Sequence, residues 1–312
     1  MGVPQGSILS VTLFSIKVNS IVNCLANDTN CSLYVDDFLI CFGGKKMATI
    51  ERKLQQTLNK LQTWADTNGF KFSRSKTVCM HFCRSTHCHD DPELTLGGFP
   101  IPVVEQTKFL GLIFDRRLTF KPHIQQLKTK CLRALDLLKV LSHSDWGADK
   151  ATLLMVYCSL IRSKLDYGCM VYGSACQTNL KLLDPVHTQA LRICLGAFRS
   201  SPRDSLCLEA NEPPLSLRRR HLALQYCLKL KSNSANPAYS CVFRPKFQDA
   251  FEGNPERGPL GIRMKSHFEN LGLDTFPVSQ VDLQKFAFWD HQSPPVILDL
   301  AQRKKDSTLP SF

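Results

Sequence analysis

Two adjacent carboxylates, Asp36 and Asp37, stand between two short runs of apolar, β-prone residues at 32–35 and 38–42. Two runs of this length with a polar break predict a tight hairpin, and both carboxylates are expected at its tip. Such a tip is useful for holding a divalent cation. Mg²⁺ or Mn²⁺ prefers hard oxygen ligands and binds through one or two carboxylates plus substrate phosphates. The alternative is an ordinary polar turn, because Asp is among the commonest turn residues.

A loop rich in glycine, proline and glutamine precedes the hairpin. Residues 2–10 read GVPQGSILS and open onto an apolar-periodic segment, which predicts a helix over residues 7–26. A glycine loop at a helix N-terminus leaves backbone N–H groups open, so that a phosphate or a base edge approaches closely. The loop is therefore a second candidate for binding chemistry.

The elements that must position these residues alternate between helix and strand. After the hairpin, an amphipathic pattern predicts a helix over residues 47–66, which Asn68 and Gly69 end as a C-terminal cap. Strands are predicted at residues 70–72, 75–82, 94–96 and 108–114. Helix, hairpin, helix and strands in this order predict an α+β layer and not a doubly wound sheet.

The character of the sequence changes at Thr119, where long helices begin. Apolar periodicity predicts them at residues 120–141, 153–165, 179–195 and 215–231. After Ser232, prolines interrupt the chain and no apolar period is sustained. Residues 236–312 are therefore predicted to be a partly ordered connector with a disordered end at 303–312.

Length and composition exclude several classes of protein. The chain has 312 residues, enough for two domains with cores, and 43% of them are hydrophobic. No apolar run approaches the roughly 18 residues that a membrane span needs, and no secretory signal is recognisable. An intracellular, reducing location follows, and the 14 cysteines are expected to be mostly small buried hydrophobes.

One group of cysteines and histidines needs separate consideration as a zinc site. Its members are Cys79, His81, Cys83, His87, Cys88 and His89. Their spacing does not fit the usual Cys-x₂₋₄-Cys and His-x₃₋₅-His pairs, and residues 78–83 alternate as a strand does. A strand followed by a polar loop is the preferred interpretation.

Positive charge is concentrated in the helical region. The whole chain carries a formal net charge of +12, and residues 121–240 hold 17 Lys and Arg against 8 Asp and Glu. Arg218, Arg219 and Arg220 lie at the start of the predicted helix at 215–231, where the helix dipole least favours a cation. Contact with phosphates would explain this placement, and a solvated basic turn is the alternative.

Four motifs in order give a resemblance to a known family. GVPQGS at residues 2–7 is followed by YVDD at 34–37, GFKFSRSKT at 69–77 and KFLGLIFD at 108–115. Together they resemble the reverse transcriptases of non-LTR (LINE-type) retrotransposons, most like the jockey-like branch of arthropod elements. The resemblance covers about residues 2–235.

The resemblance implies a fold and its boundaries. Residues 1–118 would be the C-terminal half of a polymerase palm of the right-hand fold, and residues 119–235 an all-α thumb that grips the duplex. Residues 236–312 would be the connector.

The resemblance also implies roles for individual residues. Asp36 is expected to be the principal ligand of the catalytic metal and Asp37 its supporting neighbour. The nucleotide and template site is expected to consist of Gln5, Gly6, Ser7, Tyr34 and Lys76. The primer grip is expected to consist of Phe109, Leu110 and Gly111. The thumb is expected to bind nucleic acid through Arg218, Arg219 and Arg220. Lys76 would assist the leaving pyrophosphate, because a compact cation neutralises developing phosphate charge. A surface strand lysine is the alternative for Lys76, and an ordinary buried strand is the alternative for the primer grip.

The activity implied is RNA-directed DNA synthesis with Mg²⁺ or Mn²⁺, an RNA template, a DNA primer and deoxynucleoside triphosphates, in the nucleus or the cytoplasm and without a membrane. In the family, the fingers and a third catalytic aspartate are expected before Gly2. This chain begins without them, so we expect the polypeptide alone to be inactive. A non-catalytic nucleic-acid-binding remnant is the alternative, and an unrelated two-domain protein would require four chance matches.

Overall fold

The computed structural model describes residues 6–25, 29–83, 90–245, 248–251, 253–273 and 278–279. Three separate two-stranded antiparallel sheets and a series of helices make up these residues, so the predicted mixture of α and β structure is confirmed. Among the described helices, none is long and apolar enough to cross a lipid bilayer.

The N-terminal part contains the first hairpin between two helices. Helix α1 spans Ile8–Asn19 and tightens into a 3₁₀ helix at Ser20–Cys24, so the predicted helix over 7–26 is shorter and changes type near its end. Strands β1 (Asn30–Tyr34) and β2 (Asp37–Cys41) form the predicted hairpin. Helix α2 spans Met47–Asn68 and ends at Gly69, whose φ of 72° places it in the left-handed region, as predicted.

The middle of this part contains less strand than predicted. Strands β3 (Thr95–Leu96) and β4 (Phe99–Pro100) form one short hairpin, and β5 (Gln106–Phe109) and β6 (Leu112–Asp115) form another. The single strand predicted at 108–114 is therefore wrong, because Leu110 and Gly111 form a turn that divides it.

The strands predicted at 70–72 and 75–82 are wrong. Ser73 explains part of the difference, because its carbonyl accepts the N–H groups of Lys76 and Thr77 and also the Thr77 hydroxyl. This local turn competes with a sheet ladder for the same backbone groups. Cys79 retains a single parallel bridge to Val103.

Helices dominate from Lys121 onward. The helices of this region are α3 (Lys121–Leu141), α4 (Lys150–Tyr157), α5 (Ser163–Asp166), α6 (Cys169–Tyr172), α7 (Gln177–Leu180), α8 (Asp184–Leu195), α9 (Arg203–Glu209) and α10 (Leu215–Lys231). A π-helical turn at Cys158–Arg162 joins α4 to α5, and a 3₁₀ turn at Lys181–Leu183 joins α7 to α8. The four helices predicted from periodicity are therefore present, and α10 has the predicted bounds.

The main hydrophobic core lies within this helical region. Ile124 and Leu138 of α3, Tyr157 at the end of α4 and Ala190 of α8 are fully buried in one cluster. Burying a side chain of this size stabilises the fold by roughly 1.5–3 kcal/mol. The cluster extends to Leu112 on β6, so the third hairpin packs directly on the helices.

A smaller core forms between α10 and two later helices, α11 (Ala238–Phe243) and α12 (Leu260–Asn270). Met264 and Phe268 of α12 are buried there. The prediction that no apolar period persists after Ser232 is wrong at α12, whose repeat is too short to stand out between prolines. The predicted disordered end at 303–312 lies outside the described residues.

Candidate functional site

The first hairpin presents the two carboxylates in unequal positions. Tyr34 pairs with Asp37 across the ladder, so Val35 and Asp36 alone form the two-residue loop. The prediction that both carboxylates lie at the tip is therefore wrong for Asp37, which is the first residue of β2. The turn closes one residue earlier than the polar break suggests, because a two-residue loop is the commonest hairpin connection.

Both carboxylates are available to a ligand. Asp36 and Asp37 are exposed, and neither carboxylate makes a hydrogen bond or an ion pair with any residue that the structure describes. Tyr34, predicted to belong to the nucleotide and template site, is 61% exposed beside them. The hairpin therefore offers hard oxygen acceptors that no cation among the described residues neutralises.

The loop of this hairpin has an uncommon backbone conformation. Val35 has a φ of 55°, in the left-handed region. A β-branched residue is a genuine outlier there, and such a conformation costs of order 1–3 kcal/mol. Strain of this kind clusters at functional sites, where the surrounding structure maintains it.

The opposite face of the hairpin anchors it to α2. Leu33, Phe38 and Ile40 are half-buried, while the residues between them are exposed. Ile40 packs against a small core that contains Leu58 of α2 and Leu96 of β3. The carboxylates thus extend from a hairpin that is fixed on one face and open to solvent on the other.

The glycine loop is described only in part. Gln5 lies outside the described residues, whereas Gly6 has a φ of 92°, which favours glycine. Ser7 is exposed and is the N-cap of α1, but its side chain makes no capping hydrogen bond. The first N–H groups of α1 therefore have no side-chain cap from Ser7, and phosphate or base binding by this loop stays a prediction.

Lys76 lies in the turn that replaces the predicted strand. Its side chain is exposed, and its backbone N–H donates to the carbonyl of Ser73. Arg74 of the same turn lies over the ring of Phe99, with the guanidinium carbon 3.4 Å from the ring centroid. This cation–π contact ties the Lys76 turn to the hairpin of β3 and β4.

The predicted primer grip is the turn of the third hairpin. Phe109 pairs with Leu112, and the two loop residues Leu110 and Gly111 have φ values of 45° and 82°. Two positive φ values in a two-residue loop are typical of a type I′ turn, whose twist matches the strands.

A tyrosine from the helical region braces this turn. The hydroxyl of Tyr167 donates a hydrogen bond to the Leu110 carbonyl at 2.8 Å. A Cβ added at Gly111 would lie 3.0 Å from the Tyr167 ring. Sequence reasoning did not identify Tyr167, because it lies 57 positions from Leu110 and no local motif contains it.

The three consecutive arginines do not share one environment. Arg218 makes a bidentate ion pair with Asp166, while Arg219 is half-buried and Arg220 is exposed. The hydrogen bonds that Arg218 donates to Asp166 raise the pKa of Arg218. Arg218 is thus held by the protein itself, and contact of all three with nucleic acid stays a prediction.

The cysteine and histidine group forms no metal cluster within the described residues. Cys79, His81 and Cys83 are half-buried, and the Nδ1 atom of His81 lies 3.0 Å from Asp91. His87, Cys88 and His89 lie outside the described residues. Across the part of the chain that the structure covers, no three His, Cys, Asp or Glu side chains are placed to hold a metal ion together.

Comparison with known proteins gives a match over the N-terminal third. Residues 1–114 match the family model described as reverse transcriptase (RNA-dependent DNA polymerase). This segment contains the glycine loop, the Asp36–Asp37 hairpin and the turn at Leu110 and Gly111. No solved structure matches the chain.

Curated relatives extend the similarity into the helical region. The chain is 27% identical over 230 residues to the putative 115 kDa protein in type-1 retrotransposable element R1DM of Drosophila melanogaster, covering 73% of this chain and 22% of that protein. It is 26% identical over 239 residues to the RNA-directed DNA polymerase from mobile element jockey of Drosophila funebris, covering 74% of this chain and 26% of that protein. The resemblance to the reverse transcriptases of non-LTR retrotransposons is thereby confirmed, and the chain spans about a quarter of the length of these relatives.

Proposed function

We propose, from the reverse-transcriptase match of residues 1–114, that this chain supplies the metal-binding hairpin and the nucleic-acid-gripping helices of an RNA-directed DNA polymerase from a non-LTR retrotransposon. The observation that supports this most is the exposed Asp36–Asp37 pair inside the matched segment, whose carboxylates have no hydrogen-bond or ion-pair partner among the described residues. The proposed division is a palm half at 1–118, a thumb at 119–235 and a connector at 236–312. The proposed substrates are an RNA template, a DNA primer and deoxynucleoside triphosphates, in the nucleus or the cytoplasm.

The chemistry of this reaction assigns a task to each residue. The primer 3′-hydroxyl attacks the α-phosphate of the nucleotide, and pyrophosphate leaves. A divalent cation bound at the site supplies charge neutralisation for the attacking and leaving oxygens. Asp36 and Asp37 would hold it, since the pair fits the one or two carboxylates that Mg²⁺ takes together with substrate phosphates.

The other predicted residues position the substrates. Gln5, Gly6 and Ser7 would lie under the templating base and the incoming nucleotide, where the absence of a glycine side chain allows close approach. Lys76 would neutralise the developing charge on the pyrophosphate.

We further propose that the 312-residue polypeptide does not extend a primer by itself. Two-metal catalysis requires ligands that bridge two ions, and within the described residues no third ligand joins Asp36 and Asp37. The pair would therefore bind a cation weakly, and chiefly when nucleotide phosphates complete the coordination.

Paramagnetic relaxation by Mn²⁺, measured with and without a deoxynucleoside triphosphate, tests the metal site. The change to make is Asp36→Asn with Asp37→Asn, and the matched control is Asp90→Asn with Asp91→Asn, the other adjacent pair in the chain. We expect nucleotide-dependent Mn²⁺ binding that the first variant loses and the control retains. Equal binding by both variants would contradict the proposal.

Primer extension on an RNA template tests the second part. We expect the purified polypeptide to give no more product than its Asp36→Ala variant. Extension above that background would show that the chain is catalytically sufficient.

The second candidate function is nucleic-acid binding without catalysis. The observation in its favour is the excess of nine positive charges over residues 121–240, because a concentrated basic face binds phosphates without regard to sequence. Salt-sensitive binding to RNA or DNA that requires neither Mg²⁺ nor Asp36 would favour this candidate. Binding that depends on both would favour the polymerase.

A further inference from the structure

A groove of about 280 Å³ lies between the turn of the third hairpin, α3 and α5. Gly111 of the turn, His123 and Lys130 of α3, Lys164 of α5 and Tyr167 line it. The groove therefore joins the predicted primer-grip turn to the helical region.

Its charge is entirely positive. No carboxylate lines the groove, and neither Lys130 nor Lys164 makes an ion pair with any residue in the described ranges. Burial raises the pKa of the nearby Cys131 to about 11, and the charges of Lys164 and Lys130 both oppose that shift. Lys130 and Lys164 therefore both place positive charge near Cys131 of α3, and no carboxylate lines the groove between them.

His123 adds a hydrogen-bond donor that is not satisfied within the described protein. Its side chain is 6% exposed, and its Nδ1 accepts the backbone N–H of Ile113 at 3.3 Å. The neutral ring must then carry its proton on Nε2, and this buried atom has no partner. Burial, together with the charge of Lys130, lowers the pKa of His123, which keeps the ring neutral at pH 7. An acceptor brought into the groove would remove the cost of an unpaired buried N–H.

Tyr167 forms an aromatic wall of the groove. The residue is 58% exposed, while its hydroxyl donates a hydrogen bond to the Leu110 carbonyl. Lysines beside an exposed aromatic face are the combination by which proteins hold a nucleic-acid strand, because the cations meet the phosphate and the ring meets a sugar or base.

We propose that this groove binds a backbone phosphate of a nucleic-acid strand through Lys130 and Lys164, with Tyr167 against the adjoining sugar or base. This rests on the proposed function for the nature of the partner. It assigns the contact to α3 and α5, away from the arginine series of α10. An acidic protein segment would also meet two lysines, but it would leave the aromatic wall without a flat group to stack on it.

Fluorescence anisotropy with a short labelled RNA–DNA duplex tests the assignment, using the full chain at several salt concentrations. The variant is Lys130→Gln with Lys164→Gln. The matched control is Lys121→Gln with Lys181→Gln, which removes two exposed lysines of the same helical region outside the groove. Circular dichroism verifies that both variants fold.

We expect the groove variant to bind at least about tenfold more weakly, because it loses two charge-assisted contacts. The slope of log affinity against log salt should fall by about 1.4–1.8, corresponding to two phosphate contacts. The control should lose less than about threefold, since its effect is long-range and screened.

Three results would overturn the assignment, and they are distinguishable. Equal losses in the two variants would contradict the groove alone and leave the proposed function intact. Displacement of the duplex by a polyglutamate peptide as effectively as by unlabelled duplex would identify an acidic protein as the partner. No binding of the wild-type chain to the duplex would contradict the proposed function as well.

Discussion

The guanidinium of Arg218 on α10 forms an ion pair with the carboxylate of Asp166 at the end of α5. Its Nη2 and Nε atoms donate to Oδ2 at 2.8 and 3.2 Å, and both side chains are about three-quarters buried. The two residues are 52 positions apart in the chain. The contact therefore fixes the start of α10 against the helices that precede it.

Replacing Arg218 is consequently expected to affect stability more than binding. Arg218→Gln should lower the free energy of unfolding by about 1–3 kcal/mol, because it leaves a partly buried carboxylate without its partner. Arg220→Gln, at an exposed position with no ion pair among the described residues, should change stability by less than about 0.5 kcal/mol. Thermal unfolding of the two variants, with nucleic-acid affinity measured in parallel, makes the comparison. A stability loss in Arg220→Gln as large as that in Arg218→Gln would contradict it.

Relieving the strained loop should stabilise the first hairpin. Val35→Gly removes the β-branched side chain from a backbone at φ 55°, and we expect a gain of about 0.5–1 kcal/mol after the greater freedom of glycine in the unfolded chain is included. Ser32→Gly in the neighbouring strand is the control and should cost about 0.5–1 kcal/mol. Urea unfolding followed through the fluorescence of Trp64 on α2 reports on this part of the molecule. A loss of stability in Val35→Gly would show that its side chain contributes packing that outweighs the strain.

Gly111 should tolerate no side chain. Gly111→Ala places a Cβ 3.0 Å from the Tyr167 ring at a φ of 82°, so we expect a loss of about 1–2 kcal/mol from strain and displaced packing. Tyr167→Phe removes only the hydroxyl that binds the Leu110 carbonyl and should cost about 1 kcal/mol. Thermal unfolding of the double variant should show a combined loss different from the sum, because the two residues touch. Strict additivity would mean that Tyr167 does not brace the turn.

Acid should weaken the helical core through His187. This side chain is 1% exposed, its Nδ1 lies 2.7 Å from the Tyr157 hydroxyl, and burial, with the charge of Arg203, lowers its pKa to about 4. The unfolded chain binds a proton here near its ordinary pKa of about 6.5. Stability should therefore fall as the pH drops from about 6.5 to about 4, by up to about 1.4 kcal/mol per unit, and this contribution should not fall further below that range.

The pH dependence of unfolding in wild-type protein and in His187→Gln tests this expectation. The variant should lose stability at pH 7 but show a flatter profile between the two pKa values. His221→Gln, at an exposed position, should leave the profile unchanged. Identical slopes in wild type and His187→Gln would assign the acid sensitivity to other groups.

The elements with a strong local period could be predicted from the sequence. Helix α2 and the hairpin of β1 and β2 repeat their apolar residues at helical and strand spacing, and Gly69 ends α2 as a left-handed cap requires. The four motifs likewise pointed to the segment that matches reverse transcriptases.

Features that depend on distant contacts or on backbone detail could not be predicted. Asp37 lies on β2 because the two-residue turn consists of Val35 and Asp36. The polar pair in the sequence is equally compatible with a turn at Asp36 and Asp37, so the sequence alone does not decide the register. Asp166 and Tyr167 act on residues more than 50 positions away, so no motif includes both partners. Apolar alternation over residues 75–82 favours pairing with another strand. Local hydrogen bonds to the Ser73 carbonyl form a turn there instead, and alternation does not reveal them.

The π-helical turn at Cys158–Arg162 sets the rotational phase of everything that follows it in this helix. Such a turn is equivalent to one residue inserted into an α-helix, and one residue rotates the downstream faces by about 100°. Deleting a single residue there would restore an unbroken α-helix and swing Lys164 away from Lys130, while Leu165 would leave the core. The single extra residue of the π-helical turn thus determines whether Lys164 of α5 and Lys130 of α3 lie on the same groove.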